Sequence, residues 1–372
     1  MVRFTVLASG SKGNCTVISG GRTRILLDAG LSCRELFRRM RLAGEEPETL
    51  DAVIITHEHS DHVNGLAVTA RKLGIPVYFT EGTHRAWMRW LTPRRQMTYA
   101  QWLEQCRKQA AERQAETDAA GLECEPDESD LVEAVGELGE EHAAGAKARV
   151  DQTASTARLK SCPDTKLESS SEPGLDSSSE PKLESSSEPE LDTQPATPSR
   201  KEDPTWLPTV EYFEAGKPFE IGDIAISPFT IPHDAADPVG FVFQAEGVRM
   251  GYATDLGYIP PNVKEQLKGV DLLMLESNHD LEMLRDGPYP WQVKQRVLSR
   301  VGHLSNEAAA AFLEEGYDGQ AAYVILAHLS ESNNLPDLAR VTAERALSGR
   351  ASLLANRLLL AMQYEGLSGI QF

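Results

Sequence analysis

Short apolar runs rich in β-branched residues, set off by glycine or polar turns, punctuate both ends of the chain. Residues 4–7, 16–19 and 23–28 read as strands between Gly-rich turns, and 52–56 as another. Leu31, Leu36, Phe37 and Met40 fall near one face and predict a helix over 31–42. A helix over 63–73, a strand over 77–80 and a helix over 83–91 follow. Farther along, 219–231 and 241–254 read as strand pairs, and 271–276 and 323–327 as buried strands. Helices fit 290–301, 306–315 and 335–347. Strands mixed with helices on both sides of a central divide predict an α/β protein of layered sheets with helices outside.

The divide is a different material. From Leu167 an eight-residue unit repeats as LESSSEPG, LDSSSEPK and LESSSEPE. One Leu per unit cannot offset the ordering entropy, and Ser, Glu and Pro solvate the rest. Residues 105–204 therefore read as a disordered acidic insertion, leaving 1–104 and 205–372 as one discontinuous folded domain. Charge sharpens the boundary. Residues 104–204 hold 25 acidic against 11 basic residues, a net −14 of the chain's −19. Among 372 residues, 41% are apolar, enough for a sizeable core. No apolar run reaches membrane-spanning length, and the start lacks a secretory signal pattern. Five scattered cysteines without a CxxC pair argue against a disulfide framework and a cysteine-ligated zinc site, so a reduced cytoplasm is expected.

The chemistry concentrates in His57-Glu58-His59-Ser60-Asp61-His62, directly after the 52–56 strand. Ligands so close together do not share a helix face, where an i, i+4 spacing would be needed. On a loop leaving a strand, His57 and His59 can point one way and Asp61 and His62 another. Imidazole nitrogen with carboxylate oxygen suits zinc, and also manganese or iron.

HxHxDH after a strand resembles the metal motif of the metallo-β-lactamase fold, a four-layered αββα sandwich. That resemblance implies further ligands in order, and His233 in IPHDA, Asp255 in YATDLG and His328 in LAHLS occupy the matching places. It also implies that Asp28, ending TRILLD, orients the metal loop from behind. LASGSKGNC, THEHSDH, LLMLESNHD, MLRDGPYPWQVKQRVLS, GHLSNEAA and LAHLSESNN together resemble the YycJ (WalJ) family. The likeness covers everything except the acidic insertion. Its members are described as bacterial 5′→3′ DNA exonucleases linked to mismatch repair. By resemblance, His57, His59 and His233 would hold one divalent ion, Zn²⁺ or Mn²⁺. Asp61, His62 and His328 would hold a second, with Asp255 bridging both. Water shared by two such cations becomes a nucleophile near neutral pH.

His303 in GHLSN resembles a histidine that assists the leaving oxygen in phosphodiesterases of this superfamily. Asp61, Asp255 and His303 are accordingly the expected catalytic residues. Glu276 and His279 follow a buried strand and could orient His303 or a ligand. The turn holding Ser9, Lys12 and Asn14 could offer backbone N–H groups and an ammonium to a phosphate. Cys15 and Cys33 read as small buried apolar residues, and His84 as a packed or surface histidine.

These residues imply a dinuclear phosphodiesterase acting on DNA. Alternatives on the same fold are a cyclic-nucleotide or small-molecule phosphodiesterase and a thioester hydrolase. One feature opposes DNA: the 271 residues outside 104–204 are still net −5, whereas a nucleic-acid enzyme should present a basic track. Arg85, Arg89, Arg94, Arg95, Lys294, Arg296 and Arg300 are the available cations. No membrane contact is expected, and the sequence names no protein partner.

Overall fold

Runs apolar at every position form strands covered on both faces, because alternating side chains then need cover above and below. The computed structural model describes residues 1–92, 107–108, 203–348 and 357–372. Its strands are β1 (Arg3–Ala8), β2 (Cys15–Gly20), β3 (Thr23–Leu27), β4 (Ala52–Ile54), β5 (Pro76–Phe79), β6 (Thr209–Tyr212), β7 (Phe219–Ile221), β8 (Ile224–Thr230), β9 (Val239–Ala245), β10 (Val248–Ala253), β11 (Leu272–Glu276), β12 (Tyr323–Ala327), β13 (Arg357–Leu360) and β14 (Leu367–Gln371). They build two seven-stranded sheets, ordered β14-β1-β2-β3-β4-β5-β6 and β13-β12-β11-β10-β9-β8-β7. In each sheet antiparallel hairpins give way to parallel strands, from β3 onward in the first and from β10 onward in the second.

Three apolar layers account for the stacking. Phe4, Val6, Ile25 and Leu27 meet Phe241, Phe243, Tyr252 and Met274 between the sheets. Val17, Leu26 and Val53, on the opposite face of the first sheet, pack against Leu36, Phe37 and Met40 of helix Cys33–Leu42 and Trp87 of helix Glu81–Leu91. Leu273, Leu275, Val324 and Leu326 do the same for the second sheet against Ala309, Ala339 and Ala343 of helices Asn306–Ala311 and Pro336–Ser348. Each fully buried Leu or Phe contributes roughly 1.5–3 kcal/mol. The result is the expected αββα sandwich.

Local differences have local causes. The helix expected over 63–73 is two helices, Ser60–Val63 and Leu66–Leu73, broken at Gly65. A Cβ on Gly65 would lie 1.9 Å from the Leu31 carbonyl oxygen, so no other residue allows that approach. The helix expected over 290–301 ends at Val297, and that over 306–315 passes into a wider turn over Phe312–Gly316. Strands β6, β13 and β14 lie at sheet edges and were not expected. The insertion expected over 105–204 lies outside the described residues, apart from 107–108 and 203–204. Among the described residues, no helix is long and apolar enough to cross a membrane.

Candidate metal centre

Strand carboxyl ends deliver the site. Asp28 follows β3, the 55–62 loop follows β4, His233 lies just past β8, Asp255 past β10 and His328 directly after β12, while Glu276 ends β11. Asp28, Asp255 and His328 have φ of 58°, 60° and 56°. Only one other described non-glycine residue, Glu246, has a positive φ. Left-handed backbone costs on the order of 1–3 kcal/mol per residue and concentrates where function requires it.

Two sets of ligand-type atoms result. His57, His59 and His233 form one, and Asp61, His62, Asp255 and His328 the other, with the atoms of each set within 4.8 Å of one another. His233 Nε2 lies 3.2 Å from His59 Nδ1. His62 Nε2 lies 3.4 Å from Asp255 Oδ2 and 3.5 Å from Asp61 Oδ2, and His328 Nε2 lies 3.4 Å from Asp61 Oδ2. Ligands about 2.0–2.1 Å from a tetrahedral ion sit about 3.4 Å apart, so these separations fit one cation per set. His57 Nε2, His328 Nε2 and Asp255 Oδ2 are buried without a hydrogen-bond partner. Such orphaned atoms are costly unless a cation takes them.

The ring tautomers follow from what holds each histidine. Asp28 Oδ2 takes His62 Nδ1 at 2.8 Å, and the Gly302 carbonyl takes His233 Nδ1 at 3.1 Å. Glu276 Oε1 takes both His328 Nδ1, at 2.9 Å, and His303 Nδ1, at 2.8 Å. Carbonyls and carboxylates only accept, so each Nδ1 carries a proton and Nε2 is the nitrogen turned toward a metal or substrate. Thr56, missed in the sequence, places its hydroxyl 3.0 Å from Asp28 Oδ2, 3.0 Å from His57 Nδ1 and 3.2 Å from His62 Nδ1. Its only sequence clue is its place between the β4 run and His57.

Electrostatics separate the two sets. Burial pushes His57 well below its ordinary pKa and lowers His233, keeping both neutral and able to ligate. Burial opposes charge on His62 and His328 too. There the carboxylates prevail: Asp28, Asp255 and Asp61 around His62, and Asp255, Asp61 and Glu276 around His328, raise both well above the usual value. Four carboxylates crowd here, and among the described residues no Lys is paired with them. Two divalent cations would neutralise them.

The remaining sequence candidates are placed as follows. Glu276 is fully buried, and its Oε2 also accepts from Leu256 N, at 2.8 Å, and Leu304 N, at 3.1 Å. Despite burial, the His303 and His328 contacts hold its pKa at about 2. His279 is buried, yet neither ring nitrogen has a hydrogen-bond partner, so it does not orient His303 or a ligand. The Ser9–Asn14 turn also departs from expectation. Its N–H groups at Ser9, Gly10, Lys12, Gly13 and Asn14 are consumed by Met362 O, Asn14 Oδ1, Gln363 Oε1, Gly10 O and Asp61 O. Lys12 Nζ is held by Glu331 at 2.6 Å and by Tyr364. Instead of cradling phosphate, the turn holds ligands: Asn14 Nδ2 reaches Asp61 Oδ2 at 3.2 Å and His62 Nε2 at 3.0 Å, and Ser9 Oγ accepts from His328 N at 2.9 Å. His84 is buried and bonded to the Tyr212 hydroxyl, away from the ligands.

The cations sort likewise. Lys294 is buried and caps the carbonyls of Arg285 and Gly287. Arg85 pairs with Glu81, and Arg94 and Arg95 lie outside the described residues. Arg296, paired with Asp234 beside His233, and Arg300, over the Tyr258 ring, remain near the site.

Gly30 is where the loops touch. A Cβ there would sit 1.6 Å from Asp61 O and 2.7 Å from Asn14 N, both backbone atoms. Gly30→Ala should therefore displace Asp61, cost about 3 kcal/mol or more in a denaturant melt, and lower bound metal. Gly74→Ala, a left-handed position with nothing within 4 Å of its added Cβ, should cost about 1 kcal/mol and leave metal content unchanged. Equal metal retention in both variants would contradict the packing argument.

A Metallo-beta-lactamase superfamily family model matches residues 8–145, and a Beta-lactamase superfamily domain model matches residues 189–329. Exodeoxyribonuclease YycJ of Bacillus anthracis is 27% identical over 348 residues, covering 93% of this chain and 89% of that protein. Exodeoxyribonuclease WalJ of Streptococcus pneumoniae is 27% identical, covering 93% and 88%. Among solved structures, the metallo-β-lactamase fold protein YhfI of Bacillus subtilis superposes with a TM-score of 0.52 at 14% identity, over 98% of each chain. Unliganded yeast PDE1 does so with 0.50 at 11% identity, over 99% of this chain and all of that one. At such identities these structures speak to the fold alone.

Proposed function

Because the chain belongs to the YycJ (WalJ) family of metallo-β-lactamase-fold proteins and is a metal-dependent hydrolase, we propose that it cuts phosphodiester bonds with two divalent ions, Zn²⁺ or Mn²⁺, as a 5′→3′ DNA exonuclease. His57, His59 and His233 would hold one ion, Asp61, His62 and His328 the other, with Asp255 between them. Bound there, the ions would polarise a phosphoryl oxygen and lower the pKa of water. The observation that carries the phosphodiester reading is the Glu276–His303 pair. Glu276 fixes His303 by its Nδ1 in a third set, Asp255, Glu276, His303 and His328, whose ligand-type atoms also lie within 4.8 Å of one another. When the ring also carries a proton on Nε2, that proton can pass to a departing oxygen while Glu276 keeps hold of the Nδ1 proton. An alkoxide leaving group needs that proton, whereas a thiolate does not. DNA as substrate rests on what the two relatives are named for. The buried free thiols Cys15 and Cys33 suit a reduced cytoplasm.

One assay tests this. Protein loaded with Zn²⁺ or Mn²⁺ is offered 5′-labelled and 3′-labelled DNA, a cyclic nucleotide and a thioester. Release should begin at the 5′ end and weaken steeply with added salt. Thioester cleavage with DNA intact under both metals would select the acyl-hydrolase alternative. Cleavage of the cyclic nucleotide alone would select a small-molecule phosphodiesterase.

A further inference from the structure

Most of the GPYPWQVKQRVLSR motif ahead of His303 has no role in the metal centre, yet it ends on its rim. Tyr258 stands three residues after Asp255, and Arg300 three residues before His303. Three residues of chain span at most about 10 Å, so both are tethered close to the proposed chemistry. Their loops are stitched together through the 232–234 segment by two backbone hydrogen bonds and one from the His233 side chain. Gly257 N donates to Pro232 O at 3.0 Å, Asp234 N donates to Val301 O at 3.0 Å, and His233 Nδ1 donates to Gly302 O at 3.1 Å. A Cβ on Gly257 would fall 2.4 Å from the Arg300 carbonyl carbon, so the loops meet with no room for a side chain.

On this rim the Arg300 guanidinium lies over the Tyr258 ring, 4.2 Å from its centroid. Arg300 is exposed, and among the described residues no carboxylate lies within ion-pair distance of it. The other arginine of the segment, Arg296, is neutralised by Asp234. Leu298 and Val301, on either side of Arg300, are 49% and 44% exposed. An unneutralised planar cation, an aromatic face and apolar neighbours are the elements that bind a single nucleic-acid strand: guanidinium for phosphate, ring for base.

We propose that Arg300 and Tyr258 form the contact that seats the DNA strand next to the scissile phosphate. This assignment rests on the exonuclease reading and deepens it. The pair acts by positioning: Tyr258 holds the guanidinium in place, and Arg300 meets a phosphate one step from the metals. It also answers the acidic net charge. A strand held by one or a few preorganised cations beside the metals needs no long basic track.

The test is binding of the metal-loaded full chain to a fluorescent single-stranded oligonucleotide with cleavage-resistant phosphorothioate linkages, followed by anisotropy across a salt series. Arg300→Ala should raise Kd about tenfold and reduce the slope of log K against log salt by about 0.7, one phosphate contact. Tyr258→Ala should raise Kd about tenfold, and Tyr258→Phe should stay near the unaltered value, since the ring is kept. Arg22→Ala, removing the same charge from the β2–β3 turn at the opposite end of the first sheet, should change Kd less than twofold. On cleavable DNA, Arg300→Ala should raise KM with little change in kcat. If the unaltered protein binds and degrades DNA while Arg300→Ala keeps its Kd and salt slope, this assignment alone is overturned. Equal weakening by Arg22→Ala would reduce the effect to net charge and overturn it too. No oligonucleotide binding by the unaltered protein would remove the exonuclease reading and this contact together.

Discussion

Asp255→Asn should lose most of both bound ions and nearly all hydrolysis while the protein stays folded. Asp255 sits 3.4 Å from His62 Nε2 and 3.3 Å from His328 Nδ1, and its Oδ2 is buried without a hydrogen-bond partner. Burial opposes its charge, but His328, His62 and His57 lower its pKa far below the ordinary range. An uncharged amide cannot bridge two cations, yet it keeps the shape and tolerates φ of 60°, where alanine would add strain. The comparison is Asp28→Asn, which removes the carboxylate behind His62. Altering a group one step behind a ligand costs about 10–100-fold in metal affinity or activity, and Asp255→Asn should exceed that. Metal analysis with circular dichroism on both variants decides. Two ions retained with undiminished turnover in Asp255→Asn would end the dinuclear reading.

What the sequence made legible follows from burial. β11 and β12 are apolar at nearly every position because both faces are covered, and such runs identify themselves. β6 and β13 carry exposed and half-exposed residues at sheet edges, so their runs look like loop. The candidate ligands His57, His59, Asp61 and His62 were readable because HxHxDH needs no tertiary information beyond a strand exit, whereas His233, Asp255 and His328 came from resemblance. What holds them was less so, since it depends on directions only the fold sets. Asn14 and Lys12 occupy one turn, yet Asn14 faces Asp61 while Lys12 faces Glu331. Glu276 and His279 lie three residues apart, yet only Glu276 meets His303.

His303→Ala should lower DNA hydrolysis by about 10²–10⁴-fold while leaving bound metal and the melting midpoint nearly unchanged. The ring is 20% exposed by its side chain and lies 4.0 Å from Asp255 Oδ1, at the edge of the ligand cluster. Its proposed proton serves the leaving oxygen, so the loss should depend on that oxygen. With a p-nitrophenyl phosphodiester, whose phenolate departs unprotonated, the same variant should lose less than about tenfold. Glu276→Gln gives the complementary pattern. Its Oε1 serves His303 and His328 together, and an amide cannot accept from both rings and from the N–H groups of Leu256 and Leu304 at once. That variant should lose metal as well as turnover, on both substrates, and lose stability. The sign with pH is fixed by the pKa of about 2 in the folded protein, below the ordinary glutamate value. Glu276 stabilises the fold above about pH 4–5, and that contribution is lost as pH falls toward 2. Acid unfolding of Glu276→Gln should therefore lack this component. Equal losses on the DNA and p-nitrophenyl substrates in His303→Ala, with metal retained, would remove His303 from proton transfer and leave it a positioning role.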